Sequence, residues 1–171
     1  NRKDTITKKL NYILNNYFDL VIIPDAGSND TSYCDRLAAA GKKIIILDHH
    51  IQDMENPSAI IINSQTNYPN ENLSGAGVTW QFCRYFDSLL HMNYAENYID
   101  LAALGNCGDM MDLHSIETKE IIREGIENIK NPFFYYMVEK NRYSIGNTVT
   151  PTSLSFYVVP FINAIVRSGT Q

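Results

Sequence analysis

The chain has 171 residues, 44% of them apolar and 19% charged, which suits a domain with a buried core and excludes a charge-driven disordered segment. Fourteen Lys and Arg stand against 19 Asp and Glu, a net charge of −5, so a protein held on nucleic acid by a blanket of positive charge is excluded. A negative chain can still act on phosphates where metal ions supply the missing positive charge.

Residues 4–16 carry Ile6, Leu10, Ile13 and Leu14 among Lys and Asn, the spacing of an amphipathic helix. Asp19 to Asp25 is a short apolar run that ends in polar residues and Gly27, which predicts a buried strand over 19–24 and a loop. Thr31 or Ser32 is suited to cap a helix that runs to Ala40 and stops at Gly41. Lys43 to Leu47 reads as a second buried strand that ends in Asp48-His49-His50, and Ala59 to Ile62 as a third. Strand, helix and strand with short links predict parallel neighbours in one sheet.

Residues 63–73 are polar and turn-rich and read as a surface loop. Ser74 opens a long helical stretch to Leu90, with Gly75 and Gly77 near its start allowing a close backbone approach. Residues 94–104 read as a helix that ends before Gly105, and 117–130 as a charged amphipathic helix. Pro132 restarts the chain into an aromatic segment, and the last twenty residues, with Pro151 and Pro160, carry no clear period. The expected fold is α/β, a Rossmann-like parallel sheet with helices on both faces, followed by a mostly helical C-terminal part.

No apolar run approaches the ~20 residues that span a membrane, and no basic start leads into an apolar stretch of signal-peptide type. Cys34, Cys83 and Cys107 are odd in number and widely spaced, so they support neither a disulfide framework nor a zinc knuckle. They read as buried free thiols of a cytoplasmic protein.

Ligands of open parallel sheets bind beyond the carboxyl ends of the strands. Asp25 ends the first strand, in PDAGSND, and Asp48-His49-His50 end the second, in LDHH. Asp109 follows an apolar helix end in GNCGDMMD. Carboxylate and imidazole together suit Mn²⁺, which accepts both oxygen and nitrogen ligands. Each element has a plainer explanation, since an Asp after a strand commonly forms a turn or a cap and paired surface histidines are commonly solvated. His91, His114, Asp30, Asp35, Asp53 and Asp112 are left to those plainer roles. The conjunction of Asp25, the DHH run and Asp109 is what points to a metal site.

LDHH resembles the signature of the DHH phosphoesterase superfamily. PDAGSND resembles its second motif, LSGAGVTWQF the LAGVGVAFKL-like helix start of the RecJ branch, and LAALGNCGDMMDLHSIETKEIIREGI that branch's ALGTVADVVPL stretch. PFINAIVRSG resembles its GPRINAAGRMG-like segment. The five blocks keep their order and approximate spacing across roughly residues 19–169.

By this resemblance Asp25 is the carboxylate that bridges two metal ions, and His49 and Asp109 ligate one of them. His50 faces the scissile phosphate, Asp48 orients imidazole, and Arg167 is what remains of the C-terminal block for binding substrate. The family's first acidic motif is expected upstream of Asn1, and its C-terminal substrate-binding domain beyond Gln171, so residues 1–171 are expected to be part of a DHH domain. Gly108 and Asp112 replace the Ala and Pro usual in the fourth motif, and VVPFIN replaces GPRIN, which marks a divergent member.

The implied activity is a 5′→3′ exonuclease on single-stranded DNA, dependent on two Mn²⁺ or Mg²⁺ ions that clamp the scissile phosphate. Its implied setting is DNA repair and recombination, with single-stranded DNA as partner, no membrane, and unspecified replication or repair proteins. Two alternatives stay open. One is a DHH phosphodiesterase acting on short oligoribonucleotides or cyclic dinucleotides. The other is a non-catalytic DHH scaffold.

Overall fold

The computed structural model describes residues 2–66 and 68–168, without the side chains of residues 2–5, 166 and 167. The chain forms two compact units, residues 1–71 and residues 72–171.

In the first unit, helix α1 (Arg2–Leu14) precedes strand β1 (Leu20–Pro24), helix α2 (Thr31–Ala39), strand β2 (Lys43–Asp48) and strand β3 (Ile60–Asn63). The α1 helix ends at an Asn pair, where the Asn16 amide Nδ2 donates to the Tyr12 carbonyl at 2.7 Å and satisfies one of the orphan carbonyls. The sheet order is β1-β2-β3 and both pairings are parallel, as the strand–helix–strand spacing predicts. Pro24, which has no N–H to give, sits on an edge strand, where that lack is tolerated.

Register places Ile23 beside Ile46 and Ile46 beside Ile61. These residues share one face with Ile44, and Leu10 and Leu14 of α1 and Cys34 and Leu37 of α2 pack on it. Both helices of this unit therefore lie on the same face. The alternate residues Leu20, Ile22, Ile60 and Ile62 are exposed. The N-cap of α2 is Asp30, one residue before the expected Thr31 or Ser32, and Gly41 follows the helix at φ 77°, the left-handed stop that its position predicts.

The second unit is helical. It comprises α3 (Gly75–Leu90), one 3₁₀ turn (Ala95–Tyr98), α4 (Ile99–Gly108), α5 (Ile116–Glu127), α6 (Pro132–Lys140), α7 (Arg142–Ile145), α8 (Pro151–Tyr157) and α9 (Val159–Ser168). Ser74 caps α3, its Oγ accepting from the Gly77 amide at 3.1 Å. Asn131 caps α6, with Pro132 in the first turn, and Thr150 and Ser153 form a reciprocal capping box at α8. The aperiodic C-terminus is thus two short helices, each begun near a proline. Its core gathers Ala103, Cys107, Ile122, Phe134, Val138, Leu154 and Val158.

The α4 helix runs through Gly105 to Gly108, past the expected stop. Gly105 is there for contact: a Cβ on it would lie 2.5 Å from the Ala76 Cβ. Close packing of α4 on α3 outweighs the ~1 kcal/mol that glycine costs in a helix. Buried Asp100 ties the same helix to the α5–α6 link, accepting from the amides of Lys130 at 2.8 Å and Asn131 at 2.6 Å. Among the described residues no helix is long and apolar enough to cross a membrane.

Candidate metal centre

The parallel register of β1 and β2 brings Pro24 beside Leu47, so the residues that follow both strands emerge on one rim. Asp25 leaves the sheet with its amide donating to the Leu47 carbonyl at 2.7 Å and its backbone at φ 60°. That left-handed conformation is one Asp adopts more readily than most residues. Gly27 follows at φ 107°. The tight turn directs the Asp25 carboxylate to His49, and its Oδ1 lies 3.3 Å from His49 Nε2. The imidazoles of His49 and His50 meet edge to face, with centroids 4.5 Å apart. One donor atom from each of Asp25, His49 and His50 falls within 4.8 Å of the others. Among the described residues this is the one group of three such side chains close enough to hold a metal ion. Asp25 and His50 are exposed and His49 is partly buried, so the cluster is open to a ligand.

Beneath it lies a buried carboxylate. Asp48 Oδ1 accepts from the amides of His49 at 2.8 Å and His50 at 3.2 Å, and pairs with the His50 ring at Nδ1 at 2.7 Å. Its Oδ2 accepts from the Ser28 hydroxyl at 2.7 Å and the Ser28 amide at 3.1 Å. Burial alone would push this carboxyl up. The hydrogen bonds from His50, Ser28 and His49 outweigh it and hold the pKa at about 2. The imidazole that Asp48 orients is therefore that of His50, while His49 meets it through the backbone.

Asp109 ends α4 in the second unit, where its amide donates to the Gly105 carbonyl at 3.0 Å. The side chain of Arg167 lies outside the described residues. Of the residues left to plainer roles, His91 ends α3 at φ 53°, Asp30 takes the N-cap position of α2 without a side-chain cap bond, Asp35 accepts from Ser58 at 2.5 Å, the Asp53 amide donates to Asn29, and Asp112 accepts from exposed His114 at 2.7 Å.

Sequence reasoning missed Ser28 and Asn63. Asn63 falls at the end of β3, not in the loop expected to begin there, and its Nδ2 donates to both Ser28 Oγ and the His50 carbonyl. Their one signal is position: each is a small polar residue at or just past a strand end.

The family described as "DHH family, N-terminal domain" matches residues 2–106. The chain belongs to the DHH family. A Bacillus subtilis (strain 168) protein named as an SPbeta prophage-derived single-strand DNA-specific exonuclease, YorK, is 37% identical over 90% of this chain and 27% of its own length. The single-stranded-DNA-specific exonuclease RecJ of the same organism is 28% identical over 88% of this chain and 19% of its own length. The chain thus spans about a quarter or less of these relatives. The solved structure of Thermus thermophilus RecJ in complex with Mn²⁺ superposes with a TM-score of 0.80 at 22% identity, covering 95% of this chain and 25% of that one. At that identity the likeness shows the fold of this DHH chain.

Proposed function

We propose that this chain is the metal-binding part of a single-stranded DNA 5′→3′ exonuclease of the RecJ type, dependent on two Mn²⁺ or Mg²⁺ ions and acting in DNA repair and recombination. The observation that carries the reading is the convergence of Asp25, His49 and His50 on one sheet rim. Asp25 and His49, a carboxylate and an imidazole, fit a cation that takes both oxygen and nitrogen donors, with the His50 ring beside them for the phosphate. The names of the relatives supply the substrate class.

By the family resemblance, Asp25 as the shared carboxylate and His49 would hold the metal, and Asp109 would be a further ligand. When bound, such ions draw charge from a phosphate and make water more acidic. His50 addresses the scissile phosphate. The Asp48 carboxylate, ionised because its hydrogen bonds favour the charged form, fixes the ring at Nδ1 and leaves Nε2 as the nitrogen assigned to the phosphoryl oxygens. Arg167 contributes to substrate binding.

The test is hydrolysis by the full-length protein of 5′-labelled single-stranded DNA, a dinucleotide and a cyclic dinucleotide, each with and without Mn²⁺. Mn²⁺-dependent release of 5′-mononucleotides from the long strand, faster than cleavage of either small substrate, is expected. Preference for a dinucleotide or a cyclic dinucleotide would replace this reading with that of a small-nucleotide phosphodiesterase. Absence of cleavage of all three would leave a scaffold.

A further inference from the structure

A single polar chain joins the ends of all three strands and terminates on a ring of the candidate site. Asn63, at the end of β3, is 5% exposed. Its Nδ2 donates to Ser28 Oγ at 3.1 Å and to the His50 carbonyl at 2.8 Å, and its Oδ1 accepts from the Gln65 amide at 2.9 Å. Ser28, in the loop after β1, is 1% exposed, and its hydroxyl donates a hydrogen bond to Asp48 Oδ2 at 2.7 Å. Asp48, at the end of β2, holds the His50 ring at Nδ1.

The direction of each bond is fixed by chemistry. An ionised carboxylate only accepts, so the Ser28 hydroxyl must donate to it, and the Ser28 oxygen then accepts from Asn63. The Gln65 amide only donates, so the atom of Asn63 that faces it is the oxygen and the one that faces Ser28 and His50 is the nitrogen. No residue of the hydrophobic cluster under the sheet belongs to this chain of bonds. Its members converge on the turn that carries His49 and His50.

We propose that Asn63 and Ser28 are positioning residues that fix the imidazole of His50, Asn63 by holding the His50 carbonyl and the Ser28 hydroxyl, Ser28 by anchoring the far oxygen of Asp48. The inference rests on the reading of His50 as the group that addresses the phosphate. It adds that the third strand, which gives no ligand to the cluster, sets the aim of the second.

The test is a double-mutant cycle in the full-length protein, with Asn63→Ala and His50→Ala made singly and together. Partners behind a site group typically cost about 10–100-fold when removed. Asn63→Ala should lower kcat on single-stranded DNA within that range and leave KM unchanged. In the His50→Ala background the same change should cost no more than about twofold, the range in which independent sites already add. A second readout needs no activity. Long-range ¹H–¹⁵N spectra of the metal-free protein, at a pH that leaves the ring neutral, should show His50 as the Nδ1–H tautomer, and Asn63→Ala should turn this into a mixture.

An equal loss from Asn63→Ala with and without His50 would overturn the proposal, as would an unaltered His50 signal in a folded Asn63→Ala variant. Where Asn63→Ala does not fold, Ser28→Ala takes its place in both arms. If the parent cleaves no DNA, the exonuclease reading fails, and the spectra alone still decide whether Asn63 positions the ring.

Discussion

Asp25 Oδ1 and His49 Nε2 lie 3.3 Å apart because two parallel strands end level with one another. The contact needs more than register. Asp25 turns out of the sheet at φ 60°, and the turn presents its carboxylate to the next strand's histidine. Backbone held in this sparsely populated region clusters at functional sites.

The first prediction uses that conformation. Asp25→Asn keeps a side chain that tolerates the left-handed region, so it removes charge without straining the turn. The variant should fold with stability within about 0.5 kcal/mol of the parent. Its Mn²⁺ affinity, measured by calorimetry on the full-length protein, should fall by more than about tenfold. Asp25→Ala would lower stability as well, because alanine is less at ease at this φ. An unchanged Mn²⁺ affinity in Asp25→Asn would remove Asp25 from the ligand set.

The second concerns Asp48. Replacing it by Ala leaves the buried Ser28 donors and the amides of His49 and His50 without their acceptor, which should cost about 2–4 kcal/mol. Its pH signature has a definite sign. The folded pKa of about 2 lies below the ordinary 3.8, so the group adds stability above pH 4 and loses it as pH falls toward 2. The difference corresponds to about 2 kcal/mol. Urea unfolding of the metal-free protein should show the gap between parent and Asp48→Asn to be full at pH 6 and to shrink below pH 4. A gap that stays constant to pH 2.5 would mean that Asp48 is not held ionised by these bonds.

The sequence announces the ends of strands far better than it announces what lies beneath them. Asp25 and His49 are legible because each follows a run of β-branched residues, and a parallel pairing of two such runs leaves little freedom over which rim they share. Asn63 and Ser28 are not legible in this way. Asn and Ser in polar, turn-rich segments carry no period, and only the folded sheet shows that both are buried against Asp48. Asp100 is hidden for the opposite reason. It sits in an apolar helical stretch where a carboxylate reads as a solvated edge, yet it is 1% exposed and collects amides from a distant link. Gly105 looks like a helix stop because the reason for it is a neighbouring helix, which no local pattern records.

Third, two glycines of the second unit should respond oppositely to alanine. A Cβ on Gly125 of α5 would meet the Ala103 Cβ and stand 2.7 Å from the Ile99 carbonyl oxygen. Neither can withdraw without moving α4, so Gly125→Ala should destabilise by about 1–3 kcal/mol. A Cβ on Gly108 would find nothing nearer than the Val159 methyls at 3.8 Å. Gly108→Ala should be neutral or stabilise by up to about 1 kcal/mol, since alanine restricts the unfolded chain. Denaturant midpoints of the two variants read this contrast directly, and equal destabilisation by both would contradict the packing of α5 on α4.

The last prediction follows from the three thiols. Cys34 and Cys107 are buried as expected, and Cys83 is exposed on α3. All three are less acidic than a free thiol. Burial pushes the Cys107 thiol up to about 12, burial outweighs the Asn56 hydrogen bond at Cys34, and burial with the charge of Asp87 raises Cys83. The thiolate is the nucleophile, so acidity and access together set the rate of alkylation. In the native protein at pH 8, iodoacetamide should label Cys83 first and slowly for a surface thiol. Cys34 and Cys107 should react only on the timescale of unfolding. Peptide mapping by mass spectrometry at successive times resolves the three. In denaturant their rates should converge, because every cause of the shifts is a property of the fold. Labelling of Cys107 as fast as Cys83 without denaturant would mean that the core around Phe134, Leu154 and Val158 opens far more readily than its burial implies.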